Sequence, residues 1–198
     1  MSAWRDTPTL AGRHVTLRPL ERDDRDGIVA AFAGGIERSF ATVIPREDSI
    51  DAWYRRIGSE QAAGRSMPFT VLDATGVVCG VTRFMEMLEA HRRVEIGGTV
   101  YAARVQRTGV NTEAKLLLLG HAFEALGCQC VQICTDFLNR RSRAAIDRLG
   151  AKQDGVLRGE MVMPDGRVRD TVIYSILAQE WRGVRQNLEA LLAENEPA

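Results

Sequence analysis

The sequence predicts one α/β domain, a single mixed sheet covered by helices, and three observations support this. Seven short stretches read as strands, and most are joined by tight turns of the kind that make antiparallel hairpins. Helical periodicity appears twice after the first strand, again after the fourth and fifth, and at the end of the chain. The 198 residues are 45% hydrophobic, enough to bury one sizeable core.

Taken in order, residues 10–20 alternate as a first strand ending at Pro19, with His14 on its more polar face. Asp23 or Asp24 can cap a helix through Ile28, Val29 and Phe32 that Gly34-Gly35 stops, and residues 40–45 form a loop. A second helix over 48–63 spaces Ile50, Trp53, Tyr54 and Ile57 along one face. These two helices suit either a flap that grips a substrate or a plain cover for the sheet. Strands at 68–72 and 77–84 flank a Gly-containing turn at 73–76, and a turn near Glu89-Ala90 leads to the strand that carries Glu95.

The stretch 99–119 organises the rest. The strand Val94-Glu95-Ile96-Gly97-Gly98-Thr99-Val100-Tyr101 is β-branched and aromatic with glycines in its middle, as where a ligand or backbone comes close. The turn Gln106-Arg107-Thr108-Gly109-Val110-Asn111-Thr112 follows, Gly109 tolerating its angles and Thr112 capping the next helix. That helix runs through Leu116–Leu119, Ala122, Phe123 and Leu126. A strand, a Gly turn and a helix N-terminus line up free N–H groups and a positive dipole end that can hold a phosphate or pyrophosphate. A strand at 128–135 comes next. A short helix then starts at its cap Asn139 and stops at Gly150, and a hairpin of strands 155–163 and 167–177 turns at Pro164-Asp165-Gly166. A closing amphipathic helix over 179–194 puts Trp181, Val184, Leu188 and Leu192 on one face, and 194–198 is expected to fray. No linker or repeat divides the chain, so residues 1–198 are expected to be one domain.

Lys+Arg and Asp+Glu each number 26, a balance that argues against broad nucleic-acid binding. Nearly all the cations are arginine, Lys115 and Lys152 being the exceptions. No secretory signal and no long apolar span is present, so a soluble cytoplasmic protein off the membrane is expected. Cys79, Cys128, Cys130 and Cys134 read as free core thiols, the last three on one strand face; their spacing is no recognised zinc pattern, and neither metal nor disulfide is expected.

Gln106-x-x-Gly109-x-Asn111 resembles the pyrophosphate loop Gln/Arg-x-x-Gly-x-Gly/Ala of the GNAT acetyltransferases, with Asn111 in place of the last small residue. Asn139, Ser142 and Gly150 fall in register with that family's second signature, Asn-x-x-Ala/Ser-x-x-x-Tyr-x-x-x-Gly, where Ile146 takes the tyrosine place. Gly12-Arg-His-Val-Thr-Leu-Arg-Pro-Leu, Thr112-Glu-Ala-Lys and Arg143-Ala-Ala-Ile-Asp-Arg-Leu-Gly-Ala look like the branch of ribosomal-protein N-terminal acetyltransferases. The resemblance covers nearly the whole chain and implies the GNAT fold: a single mixed, mostly antiparallel seven-stranded sheet with helices on both faces. It implies acetyl-CoA as donor and a primary amine as acceptor, such as a protein N-terminus, with attack in a ternary complex and, by resemblance only, a homodimer.

The same resemblance assigns residues. Thr99, Val100 and Tyr101 would pair with the pantetheine arm where the fourth strand splays at a bulge of Gly97-Gly98, and a backbone N–H there would polarise the thioester carbonyl. Gln106, Arg107, Thr108, Gly109, Val110, Asn111 and Thr112 would hold the pyrophosphate, with Asn139 as both cap and cofactor contact. Glu95 stands where family members keep the base that deprotonates the amine; the plainer account is a solvated carboxylate or a salt bridge to Arg93. Ser142, one turn before Ile146, would contact the cofactor and could return a proton to the sulfur; otherwise it only satisfies a backbone group. Tyr101 is read as packing or pantetheine contact, His91 as a turn residue, and His121 as too far along its helix to act.

Two alternatives stand: a small-molecule amine acetyltransferase acting on an aminoglycoside or polyamine, and a non-catalytic acetyl-CoA-binding module. An acidic cluster of Glu37, Glu47 and Asp48 would favour a polycation. The loops 40–48 and 85–90 would choose the substrate, and they carry no legible code.

Overall fold

The computed structural model describes residues 3–33 and 44–194. The helix stop at Gly34-Gly35, most of the loop 40–45, Glu37 and the last four residues lie outside the described residues. The chain forms β1 (Leu10–Ala11), β2 (Val15–Pro19), α1 (Arg25–Phe32), α2 (Ile50–Ala62), β3 (Met67–Asp73), β4 (Val78–Leu88) and β5 (Arg93–Tyr101). Then follow α3 (Gly109–Gly120), a π-helical turn (His121–Ala125), β6 (Cys130–Asp136), α4 (Arg140–Arg148), β7 (Lys152–Val162), β8 (Val168–Leu177) and α5 (Trp181–Ala193). One sheet holds the strands in the order β1-β2-β3-β4-β5-β6-β8-β7. Among the described residues only β5 and β6 run parallel.

The sheet is mixed and mostly antiparallel, as expected, but has eight strands instead of seven. The single strand read over 10–20 is two, because the chain reverses at Gly12–His14 and Leu10 pairs back onto Leu17. The turn is held from α3. The N–H groups of Arg13, His14 and Val15 donate to the Glu113 carboxylate at 2.9, 2.6 and 2.9 Å. A Cβ on Gly12 would stand 2.4 Å from that carboxyl carbon, so any side chain there would push the carboxylate away from the turn it holds.

Two clusters cover the two faces. Ile28, Phe32, Ile50, Trp53, Tyr54 and Ile57 of α1 and α2 pack with Val81 and Val100. On the other face Ala114, Leu118 and Leu119 of α3, Ile146 of α4 and Trp181, Val184 and Leu188 of α5 meet Phe84, Val94, Ile96, Val131 and Ile133. The Trp181 ring stacks on Phe123 at 5.5 Å and its indole N–H donates to Glu124 at 2.8 Å, seating α5 against α3.

β5 changes faces in mid-strand. Val94 and Ile96 lie with the α3 cluster, whereas Val100, at the same parity, lies with the α1–α2 cluster. Between them the register against β4 steps from Arg83↔Gly97 to Val81↔Val100, one extra residue in β5, and Gly98 takes φ +57°. An extra residue shifts every later side chain to the opposite face. The bulge expected at Gly97-Gly98 is present.

Candidate active site

The parallel ladder between β5 and β6 covers only Arg93↔Cys130, Val94↔Val131 and Glu95↔Gln132. Beyond Glu95, β5 continues against β4 to Tyr101 and β6 against β8 from Cys130 to Asp136. The two strands therefore part immediately after Glu95, leaving a wedge whose β5 edge, residues 96–101, has no strand partner on that side among the described residues. A backbone edge of this kind can pair with an amide-bearing chain entering the sheet.

The loop that follows β5 is tied to it. Gln106 Nε2 donates to the Tyr101 carbonyl at 3.2 Å. The helix cap differs from the expected Thr112: Thr108 caps α3, its hydroxyl accepting from the Val110 N–H at 3.3 Å and donating to the Val105 carbonyl at 2.7 Å. Gly109 is already helical, and the left-handed residue of the loop is Arg107 at φ +63°. Gly109 is close-packed for a different reason: a Cβ there would lie 3.1 Å from the His14 ring, which would have to give by a few tenths of an ångström. Thr112 is buried one turn later and accepts from Arg148 Nη2 at 3.0 Å.

Two contacts join the two sequence motifs in space. Arg141 Nη2 donates to Gln106 Oε1 at 2.8 Å, and the Arg148–Thr112 bond links α4 to α3 a turn further on. Asn139 caps α4 as expected, accepting from the Ser142 N–H at 3.0 Å. Ser142 is half-buried in the first turn, whereas Ile146 lies in the core at 5% exposure.

On the α1–α2 side of the sheet a cleft of about 670 Å³ opens, lined among others by Glu95, Gly97, Gly98, Gln132, Cys134 and Arg169. Burial pushes the Glu95 carboxyl above its ordinary range, while the Cys134 thiol hydrogen-bonded to it acts in the opposite direction. The thiol is pushed up to about 12, by burial first and by the Glu95 charge second. Arg93 lines the same cleft without forming an ion pair with Glu95. Ser142 is not among the lining residues, so the two expected catalytic residues do not share this cleft. Glu47 is held by Arg25 at 2.7 Å, and neither it nor Asp48 lines the cleft.

Behind the bulge lies a group that sequence reading did not single out. Lys115 of α3 is 6% exposed and donates to Thr99 Oγ1 at 3.1 Å, and Thr99 Oγ1 in turn lies 2.8 Å from Thr82 Oγ1. Burial alone lowers the amine to about 8. The signal was one of two lysines in the chain, set in an otherwise apolar helical run. Cys134 was also read differently: with Cys130 and Gln132 it forms the half-buried face of β6, while Cys128 precedes the strand and is buried. The Tyr101 hydroxyl is buried without a hydrogen-bond partner, and so is His121 Nε2 on the core side. His91 is exposed in a short turn.

A parting of two parallel strands beside a half-buried carboxylate, with a capped helix start after the splayed strand, is the geometry that the two motifs implied. A family model described as an acetyltransferase (GNAT) domain matches residues 14–152. The chain belongs to the GNAT acetyltransferase family. This GNAT chain is 28% identical over 180 residues to YdaF of Bacillus subtilis (strain 168), a protein named as a candidate ribosomal N-acetyltransferase, with 86% of this chain and 94% of YdaF covered. A GCN5-related N-acetyltransferase from Brucella melitensis superposes with TM-score 0.87 at 28% identity, covering 98% of this chain and 89% of that one. Mycobacterium smegmatis RimJ, solved with CoA-disulfide, shares the fold at TM-score 0.76 and 22% identity, with 98% of each chain covered. The chain is thus an N-acetyltransferase by family. Among the described residues no helix is long and apolar enough to cross a membrane.

Proposed function

We propose that this GNAT enzyme moves the acetyl group of acetyl-CoA to a primary amine, with a protein N-terminus as the acceptor class, by direct attack in a ternary complex. The observation that carries the reading is the wedge opening between β5 and β6 directly beyond Glu95. The CoA-disulfide held by RimJ and the name given to YdaF support the donor and the acceptor class in turn. In this reading residues 1–198 act as one domain, the helix at 179–194 packed on it, in the cytoplasm.

The donor supplies an acetyl group activated as a thioester; the chain supplies position and protons. Thr99, Val100 and Tyr101 on the unpaired β5 edge hold the pantetheine amides, and residues 106–112 with Asn139 hold the pyrophosphate at the start of α3. A backbone N–H at the bulge polarises the carbonyl. Glu95 removes the proton of the attacking ammonium, directly or through one water, and burial that raises its basicity suits it to that step. The new C–N bond forms as the C–S bond breaks, and the Ser142 hydroxyl returns a proton to the thiolate in place of the missing tyrosine.

Thermal unfolding with and without acetyl-CoA tests the donor site. Native-state binding should stabilise the chain by about 2.7 kcal/mol at a hundredfold excess over Kd, less so when Gly109 carries a bulky side chain. Thiol release with N-terminal peptides should then be measured against spermidine. A shift without thiol release from any amine would leave a binding module, and no shift at millimolar ligand would end the acetyl-CoA reading.

A further inference from the structure

Arg169 of β8 lies in the cleft with Glu95, is 6% exposed, and is paired with no carboxylate among the described residues. Its Nε has no hydrogen-bond partner among the described residues, and its Nη1 meets the Met161 sulfur at 3.8 Å. A buried guanidinium left this way is costly, because a thioether replaces little of its lost hydration. The other buried arginine of the cleft, Arg83, is treated differently: it is paired with Glu60.

The local fold goes out of its way to enclose Arg169. Against β8, the β7 register jumps from Leu157↔Thr171 to Met161↔Arg169, so two extra residues arch outward. Gly159 at φ +62° forms the bend, and its N–H donates to Asp170 Oδ1 at 2.7 Å. The arch brings Met161 over Arg169 and turns Glu160 to accept from the Thr171 hydroxyl instead of pairing with the guanidinium. The Arg169 charge reaches Glu95 and Cys134 across β6, yet no ion pair forms.

We infer that Arg169 binds a carboxylate of the acceptor, so that the preferred acceptor is a short amine that also carries a carboxylate. Glu95 takes the ammonium end and Arg169 the acid end, the two charges facing one cleft without being joined as an ion pair. This rests on the acetyl-transfer reading for Glu95. The carboxylate has two chemical sources: the acidic side chain of an N-terminal residue, or the α-carboxylate of a free amino acid.

The test compares acceptors in matched pairs with the full chain and acetyl-CoA, following thiol release. One pair is the peptide amides Asp-Ala-Ala and Asn-Ala-Ala; the other is L-alanine and L-alaninamide. The acid member of one pair should be favoured in kcat/KM by at least about tenfold, through KM, as expected for a charge-assisted bidentate contact. The pair that shows it identifies the source. Arg169→Gln should erase the preference and Arg169→Lys should keep part of it. No preference in either pair on the unaltered enzyme, or a preference that survives in Arg169→Gln, overturns the inference while acetyl transfer stands. If no amine turns over, calorimetric binding of the Asp and Asn peptides decides: tighter Asp binding that Arg169→Gln removes upholds the carboxylate site and ends the transfer reading, and equal binding overturns the site.

Discussion

Glu95 and Lys115 illustrate opposite uses of burial. Desolvation raises the carboxyl of Glu95 and lowers the amine of Lys115, favouring the neutral form of each. A base must be ionised to accept a proton. The acid limb of the kcat/KM profile should therefore sit above the ordinary carboxylate range, with activity falling as pH drops through it. Glu95→Gln should lower kcat by roughly 10²- to 10⁴-fold and remove that limb, while acetyl-CoA still raises the melting temperature. For Lys115 the folded-state value of about 8 lies below the ordinary 10.5, so the unfolded chain binds more protons between them. Stability then rises with pH across that window, and the penalty is greatest below it, about 3 kcal/mol. Lys115→Met should stabilise the chain near neutral pH by that amount less about 1 kcal/mol for the Thr99 hydrogen bond. Urea unfolding should show the advantage disappearing by about pH 10; a pH-independent difference would mean that the amine is not desolvated. Both residues stand out as letters in the sequence, but their burial does not, because it depends on strands and helices packed from elsewhere.

At the scale of elements, local chemistry was legible and borrowed chemistry was not. The hairpin at Pro164-Asp165-Gly166, the Asn139 cap and the Gly97-Gly98 bulge appear where expected, because each is set by residues in contact along the chain. The reversal at Gly12–His14 was missed, since its acceptor, Glu113, lies about a hundred residues away. The expected Thr112 cap gave way to Thr108, because Gly109 is helical and the helix begins a turn earlier. Glu113→Ala should strand three N–H donors and cost about 2–4 kcal/mol, part-exposure letting water recover some of the loss. Amide exchange at Arg13, His14 and Val15 should accelerate while β6 and β8 stay protected. Uniform acceleration would show that Glu113 supports the whole sheet instead of one turn.

For the whole molecule, the wedge depends on elements far apart agreeing in position. β6 stays with β8 and β5 with β4, α3 is held between β2 and α5, and the site is the gap that remains. Trp181 anchors that arrangement from the far end, so Trp181→Ala should cost about 3–5 kcal/mol, or roughly 2–4 °C in Tm for each kcal/mol. Acetyl-CoA should recover part of that loss if the wedge still forms, and none if α5 is needed to hold α3. What the sequence determined alone was the element order, the two motifs and the carboxylate before the glycines, because periodicity, caps and turns act over a few residues. The tertiary structure decided which of these meet: the motifs joined through Gln106–Arg141, Glu95 and Arg169 set in one cleft, and Lys115 buried behind Thr99. Burial and charge pairing are properties of neighbours in space, and a sheet that brings β5, β6 and β8 side by side chooses those neighbours only once it has formed.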